Sequence, residues 1–220
     1  MISNTLCDSI RLLRLEPLVN LKSNRIVAFE VLSEIKAEMK PETWFARLKP
    51  CDAIAILKFQ IERISELSLR EECFYNLSIA TIVELNENDI QFITSNKEVS
   101  IEISDTYNMR FLNATSQEVL FNNLDLLRAG GAGVWLDDLT FDDQIDLGLY
   151  KTRIDGVKID KCELRNSWLG KKVAMIYKTL DDINIIIEGI ESESDLSLAR
   201  EAGIKIGQGY LWSVDNLIVE

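Results

Sequence analysis

Short apolar runs of strand length alternate with stretches of helical period along nearly all of this 220-residue sequence, and that alternation leaves few folds open. Strands are expected near Leu12–Asn20, Ile26–Leu32, Cys73–Leu77, Val99–Ile103, Gly133–Leu136, Gly156–Ile159, Ile183–Ile187 and Ile204–Tyr210. Helices are expected near Pro41–Ser68, Asn88–Ser95, Ser116–Ala129, Asp142–Lys151, Ser167–Leu180 and Ser192–Ala202. Ser116 and Ser192 read as N-terminal caps, and Gly203 as a C-terminal stop. Strands alternating with helices imply an α/β fold with a parallel sheet, and about eight of them imply a closed barrel. The length falls below the ~250 residues typical of that architecture, so its loops should be short. With no linker, repeat or low-complexity segment, one domain over residues 1–220 is expected.

Charge and residue usage exclude several chemistries. A formal net charge of -12 and a pI near 4.6 leave no basic surface for a nucleic-acid polymer, which needs clustered Lys and Arg. The absence of His removes imidazole bases, His-based triads and His-ligated zinc. Acid–base work therefore falls to carboxylate, Lys, Tyr or Cys. Cys7, Cys51, Cys73 and Cys162 lack the spacing of a metal knuckle or redox pair, and are expected to be isolated buried thiols of a reducing compartment. No signal-peptide pattern or apolar run near ~18 residues occurs, so a cytoplasmic protein away from membranes is expected.

The strand ends carry the chemistry. Gly133–Leu136 stops on Asp137-Asp138, two adjacent carboxylates that repel unless cations, donors or open water lie beside them. Alone, the pair fits a solvated loop with a helix cap. The other runs stop on Glu30, Asn76, Glu102, Lys158, Glu188 and Gln208. In a parallel barrel such ends converge on the face where active sites of this architecture sit. Carboxylates, an amide and a lysine there would suit Mg²⁺, Mn²⁺ or Ca²⁺. Trp44, Phe45, Phe141 and Trp212 could form a partner patch, but core packing is expected for each.

These residues resemble bacterial EAL domains, the cyclic-di-GMP phosphodiesterases, over nearly the whole chain. Glu16-Pro17-Leu18-Val19-Asn20-Leu21 and Arg25 to Leu32 look like the family's opening, with Glu30-Val31-Leu32 in place of Glu-Ala-Leu. Asn76-Leu77-Ser78 is similar to the family's Asn-x-Ser, Glu102-Ile103-Ser104 to its acidic strand end, and Asp137-Asp138 to its paired aspartates. Val157-Lys158-Ile159-Asp160, Glu188-Gly189-Ile190-Glu191 and Gly207-Gln208-Gly209-Tyr210 resemble the remaining motifs.

The resemblance implies a modified TIM (β/α)8 barrel whose first strand runs antiparallel to the others. It implies Glu30, Asn76, Glu102 and Asp137 as ligands of one divalent metal, with Asp137 and Asp138 reaching a second. Lys158 would orient the attacking water, and Glu188 would complete the metal and base arrangement, with Gln208, Glu191 and Asp105 in support. Mg²⁺ or Mn²⁺ would serve the reaction, two metals being possible, whereas Ca²⁺ is expected to bind and inhibit.

The sequence also departs from the family pattern. Glu34 stands where members carry an Arg that contacts a ligand phosphate, and Glu16 where they carry Gln. Leu139-Thr140-Phe141-Asp142-Asp143 replaces a Gly-containing loop, and Asp105 replaces Glu. Losing a bidentate donor and gaining a like charge beside an anionic ligand weakens binding. Two function classes therefore remain open: a phosphodiesterase that linearises cyclic-di-GMP to pGpG, and a catalytically silent module that regulates a protein partner. A homodimer is compatible with either.

Overall fold

The computed structural model describes residues 4–36, 40–67, 69–141 and 146–218. Its strands are β1 (Ile10–Asn20), β2 (Arg25–Ile35), β3 (Glu72–Leu77), β4 (Val99–Ile103), β5 (Gly133–Leu139), β6 (Gly156–Ile159), β7 (Asn184–Ile187), β8 (Ile206–Gly207) and β9 (Asp215–Ile218). They follow the order β2-β3-β4-β5-β6-β7-β8-β1-β9, and β1 also pairs with β2, so eight of them close a barrel. Neighbours from β2 to β8 are parallel. β1 runs antiparallel to β2, β8 and β9, as expected for the modified barrel. Its start therefore lies at the rim where the other strands finish. There β9 joins it, pairing Leu12, Leu13, Arg14 and Leu15 with Ile218, Leu217, Asn216 and Asp215.

Helices cover the outside. In Pro50–Ser65, Ile54, Leu57, Ile61 and Ile64 recur at spacings of three and four and are buried, the stripe of a helix packed on one face. The single helix expected over Pro41–Ser68 is two, Pro41–Phe45 and Pro50–Ser65, because Pro50 has no N–H to continue a helix and instead opens one. Ser192 caps Glu193–Glu201 by accepting from Asp195 N, and Gly203 adopts φ 83 just past its end. The helix read from Ser116 begins at Ala114, with Asn113 as the cap that accepts from Ser116 N. Of the helix expected over Asp142–Lys151, residues 142–145 lie outside the described residues, and the remainder holds a 3-10 turn, Leu147–Tyr150. No helix among the described residues is long and apolar enough to cross a membrane.

Two apolar regions result. Leu13, Leu15, Tyr75, Ile101, Val134 and Ile187 point outward into the large core beneath the helices. Trp44, Phe45, Phe141 and Trp212 pack partly buried against it, as expected. Inside the barrel Leu18, Ala28, Phe74, Trp135 and Ile186 form a separate plug, with Ile206 packed against it. The rings of Phe74 and Trp135 are 5.0 Å apart. The four cysteines are unpaired; Cys73 is buried, whereas Cys51 and Cys162 are exposed, contrary to the uniform burial expected. Cys51 lies in the first turn of a surface helix and Cys162 on the 3-10 turn Lys161–Glu163, where no apolar layer covers them.

Candidate active site

A side chain two residues along a strand keeps to the same face, roughly 7 Å further on. Stepping two residues from the plug towards the rim leads from Leu18 to Glu16, Ala28 to Glu30, Phe74 to Asn76, Trp135 to Asp137, Ile186 to Glu188 and Ile206 to Gln208. Glu102 and Lys158 stand two residues beyond Ser100 and Gly156 on β4 and β6. Gly156 leaves room for the plug, since a Cβ there would meet the Trp135 ring at 1.9 Å. The apolar plug is thus a floor, and polar residues stand on it as one ring.

Lys158 is the centre of that ring. Its Nζ lies 3.1 Å from Glu30 Oε2, 3.1 Å from Glu102 Oε1, 3.1 Å from Asp137 Oδ1 and 2.8 Å from Glu188 Oε1, while its side chain is 1% exposed. Asn76 Nδ2 donates to Glu30 Oε1 at 2.8 Å. Gln208 Nε2 donates to Glu30 Oε2 at 2.7 Å and to Glu16 Oε2 at 3.2 Å. Both oxygens of Glu102, and Oδ1 of Asp137, are buried without a hydrogen-bond partner; the contacts to Lys158 meet the ion-pair distance but not hydrogen-bond geometry. Buried acceptors of this kind are costly unless something positive fills the gap.

Consecutive strand residues normally face opposite ways, yet Asp137 and Asp138 both reach the site. Between β5 and β6 the register advances from Leu136↔Val157 to Leu139↔Ile159, three residues against two, which is a bulge. Asp138 adopts φ 52 there, a left-handed conformation that Asp tolerates better than most residues. Ligand oxygens of Asp137, Asp138 and Glu188 lie within 4.8 Å of one another.

Electrostatics differ around the ring. Burial alone would raise the Glu30 carboxyl, but Lys158 and the amides of Gln208 and Asn76 more than offset it, so its pKa is lowered. Burial dominates at Glu102, which is pushed well above the usual carboxylate range, and at Asp137, which is also raised. Burial and then Asp137 lift Asp138 to about 6, and burial, partly offset by Lys158, lifts Glu188 to about 7. Burial would strip the proton from Lys158, but the carboxylates around it hold the ammonium far more firmly than usual.

The structure brings together Glu30, Asn76, Glu102, Asp137, Asp138, Lys158, Glu188 and Gln208, but leaves three other sequence candidates outside the ring. Asp105 accepts from Ile79 N at 2.7 Å and Asn108 Nδ2 at 2.9 Å, tying two rim loops together. The Glu191 side chain is exposed, and its N–H donates to Asp195 Oδ2 at 3.3 Å. Glu34 is ion-paired with Arg11 at the rim. Of the altered loop, Asp142 and Asp143 lie outside the described residues. Glu16 joins the ring through Gln208, a role its same-face spacing from Leu18 on an antiparallel strand could have signalled.

A family model described as "EAL domain" matches residues 9–214. The chain belongs to the EAL domain family. No curated protein sequence matches it. Among solved structures, an EAL domain protein from Listeria monocytogenes is 21% identical, with TM-score 0.74 over 98% of this chain and 92% of its own. BlrP1 of Klebsiella pneumoniae, solved as a calcium and cyclic-di-GMP complex, is 17% identical, with TM-score 0.78 over 97% of this chain and 60% of its own. YkuI of Bacillus subtilis, solved with cyclic-di-GMP as substrate and calcium, is 18% identical, with TM-score 0.77 over 99% of this chain and 57% of its own. This chain therefore spans about three-fifths of the latter two proteins. At these identities the likeness carries the fold. The carboxylate oxygens of the ring, with those of Glu102 and Oδ1 of Asp137 lacking any hydrogen bond, have the donor chemistry that suits a hard divalent cation of the kind those relatives hold.

Proposed function

We propose that this EAL domain is a metal-dependent phosphodiesterase that opens cyclic-di-GMP to linear pGpG. The observation that carries this reading is the buried Glu102 carboxyl inside a ring of further carboxylates, neither of its oxygens hydrogen-bonded and only Oε1 within ion-pair distance of Lys158. Glu30, Asn76, Glu102 and Asp137 would hold one divalent cation, Mg²⁺ or Mn²⁺, and Asp137 and Asp138 would reach a second, with Glu188 beside it. When bound, such cations lower the pKa of water and neutralise charge on a phosphodiester in in-line displacement.

The chain's own groups do the rest. A water oxygen forms a bond to phosphorus as one ester P–O bond breaks, the departing ribose oxygen takes up a proton from solvent at the open rim, and the cyclic dinucleotide becomes linear. Glu188, with its carboxyl near 7, is matched to taking the water proton at neutral pH. Lys158 fixes Glu188 Oε1 at 2.8 Å, which holds that base in place. Asn76 and Gln208 orient Glu30 by donating to its two oxygens. The plug of Phe74, Trp135 and Ile186 closes the floor, so water reaches the ring from the rim.

Calorimetric titration of cyclic-di-GMP in Ca²⁺, with a parallel Mn²⁺ or Mg²⁺ assay for pGpG, tests the reading. Binding in Ca²⁺ and product in Mn²⁺ are expected. Absence of both in wild type and in Glu34→Arg would overturn it in favour of a silent module that contacts a protein partner.

A further inference from the structure

On β1 the residues facing into the barrel run towards the rim as Leu18, Glu16 and Arg14. We propose that Arg14 supplies the guanidinium that grips a phosphate of the dinucleotide in this chain, a role that the acidic position 34 cannot fill; the proposal rests on the phosphodiesterase reading above.

The side of the strand is fixed by its neighbours. Leu13 and Leu15 are 0% and 5% exposed in the outer core, so Arg14 and Glu16 face the interior. Arg14 stands opposite Leu32 on β2 and Asn216 on β9, and paired residues share a face. One row deeper Glu16 stands opposite Glu30, and Gln208 Nε2 donates to both. Arg14 is therefore rooted roughly 7 Å above the carboxylate ring, at the opening a ligand must pass. Its side chain is 36% exposed.

Charge supplies the reason. Glu16, Glu30, Glu102, Asp137, Asp138 and Glu188 confront any phosphate that enters, and Lys158 is enclosed by four of them. At the rim, Arg11 is ion-paired with Glu34 and would leave that carboxylate bare if it moved. Arg14 is ion-paired with Glu16, which keeps its bond from Gln208 when Arg14 turns away. Arg14 is the less exposed of the two, 36% against 58%, it stands on the inward row directly above the carboxylates, and its planar fork matches two phosphate oxygens.

The test is calorimetric titration of cyclic-di-GMP in Ca²⁺ into wild type, Arg14→Gln and Arg14→Lys, with the Ca²⁺-induced rise in Tm recorded for each. We expect Arg14→Gln to weaken dinucleotide binding by about 10- to 100-fold and Arg14→Lys by less, with the Ca²⁺ shift unchanged. Wild-type affinity in Arg14→Gln would overturn the assignment and leave the phosphodiesterase reading standing. Loss of the Ca²⁺ shift in Arg14→Gln would make the residue a prop for the fold and also overturn it. Failure of wild type itself to bind would overturn the assignment without any variant, and the phosphodiesterase reading would fall with it once Glu34→Arg also neither bound the dinucleotide nor formed product.

Discussion

The Lys158 ammonium sits 2.8 Å from Glu188, just past the end of the neighbouring strand, while standing 3.1 Å from each of Glu30, Glu102 and Asp137. One buried cation thus holds four carboxylates that would otherwise repel. Lys158→Met should cost about 3–5 kcal/mol in denaturant melts without added metal, the cost of stripping a buried ion group of its partner. Mn²⁺ should restore part of that loss, because a divalent cation supplies the missing charge. A variant as stable as wild type in EDTA would show that the carboxylates are already protonated and need no lysine.

Divalent metal should stabilise the wild-type fold by mass action. At a hundredfold excess over Kd the gain is about 2.7 kcal/mol, or roughly 5–10 °C in Tm for a chain of this size. Asp137→Ala should abolish the shift, yet stay near wild-type Tm without metal because burial, offset only in part by Lys158, already disfavours the ionised Asp137. A metal shift retained in Asp137→Ala would place the cation elsewhere.

The plug should resist overfilling. Gly156→Ala pushes a methyl group into the Trp135 ring and should cost about 1–3 kcal/mol. Trp135→Phe removes the part of the indole in contact, so the same alanine should cost less in that background. Equal costs in both backgrounds, read from chemical denaturation, would contradict the contact.

Glu72 offers a pH test away from the site. Burial is the main reason its carboxyl is raised, and Ser100 offsets this only in part by donating to it. A folded pKa above the unfolded one means that the native state binds protons more tightly, so stability from this group falls as pH rises from the unfolded value through the folded one. Glu72→Gln should therefore raise Tm at pH 7, and the gain should vanish near pH 4, where both states are protonated. A gain that persisted at pH 4 would have another origin.

Much of the fold was legible because apolar runs of strand length alternate with helical stretches and end on polar groups. Glu30, Asn76, Glu102 and Asp137 were readable from that rule alone. What eluded the sequence was whatever depends on a partner far along the chain. Lys158 looked like a residue for water, and only the closed barrel shows it surrounded by carboxylates from four other strands or strand ends. Asp105 and Glu191 have the right residue type at the rim, but the Ile79 N–H and the Asn108 side-chain amide take up the Asp105 carboxylate and solvent surrounds Glu191. β9 went unread because Asp215-Asn216-Leu217-Ile218 is short and polar at its start, and its strand geometry comes from lying against β1.

The reversal of β1 has a consequence for how the chain reaches this state. The barrel closes where β1 meets β8, and Gln208 reaches Glu30 across 178 positions of sequence, as Lys158 does across 128. Contacts so remote form slowly, after the loop entropy of most of the chain has been overcome. During synthesis Glu30, Asn76, Glu102 and Asp137 emerge before the lysine that will neutralise them. A half-built sheet would then carry an inward row of uncompensated charge along its open edge. Such charge is a known deterrent to edge-to-edge association, so the carboxylates suited to holding a cation in the finished protein would also keep the unfinished one from pairing with its neighbours.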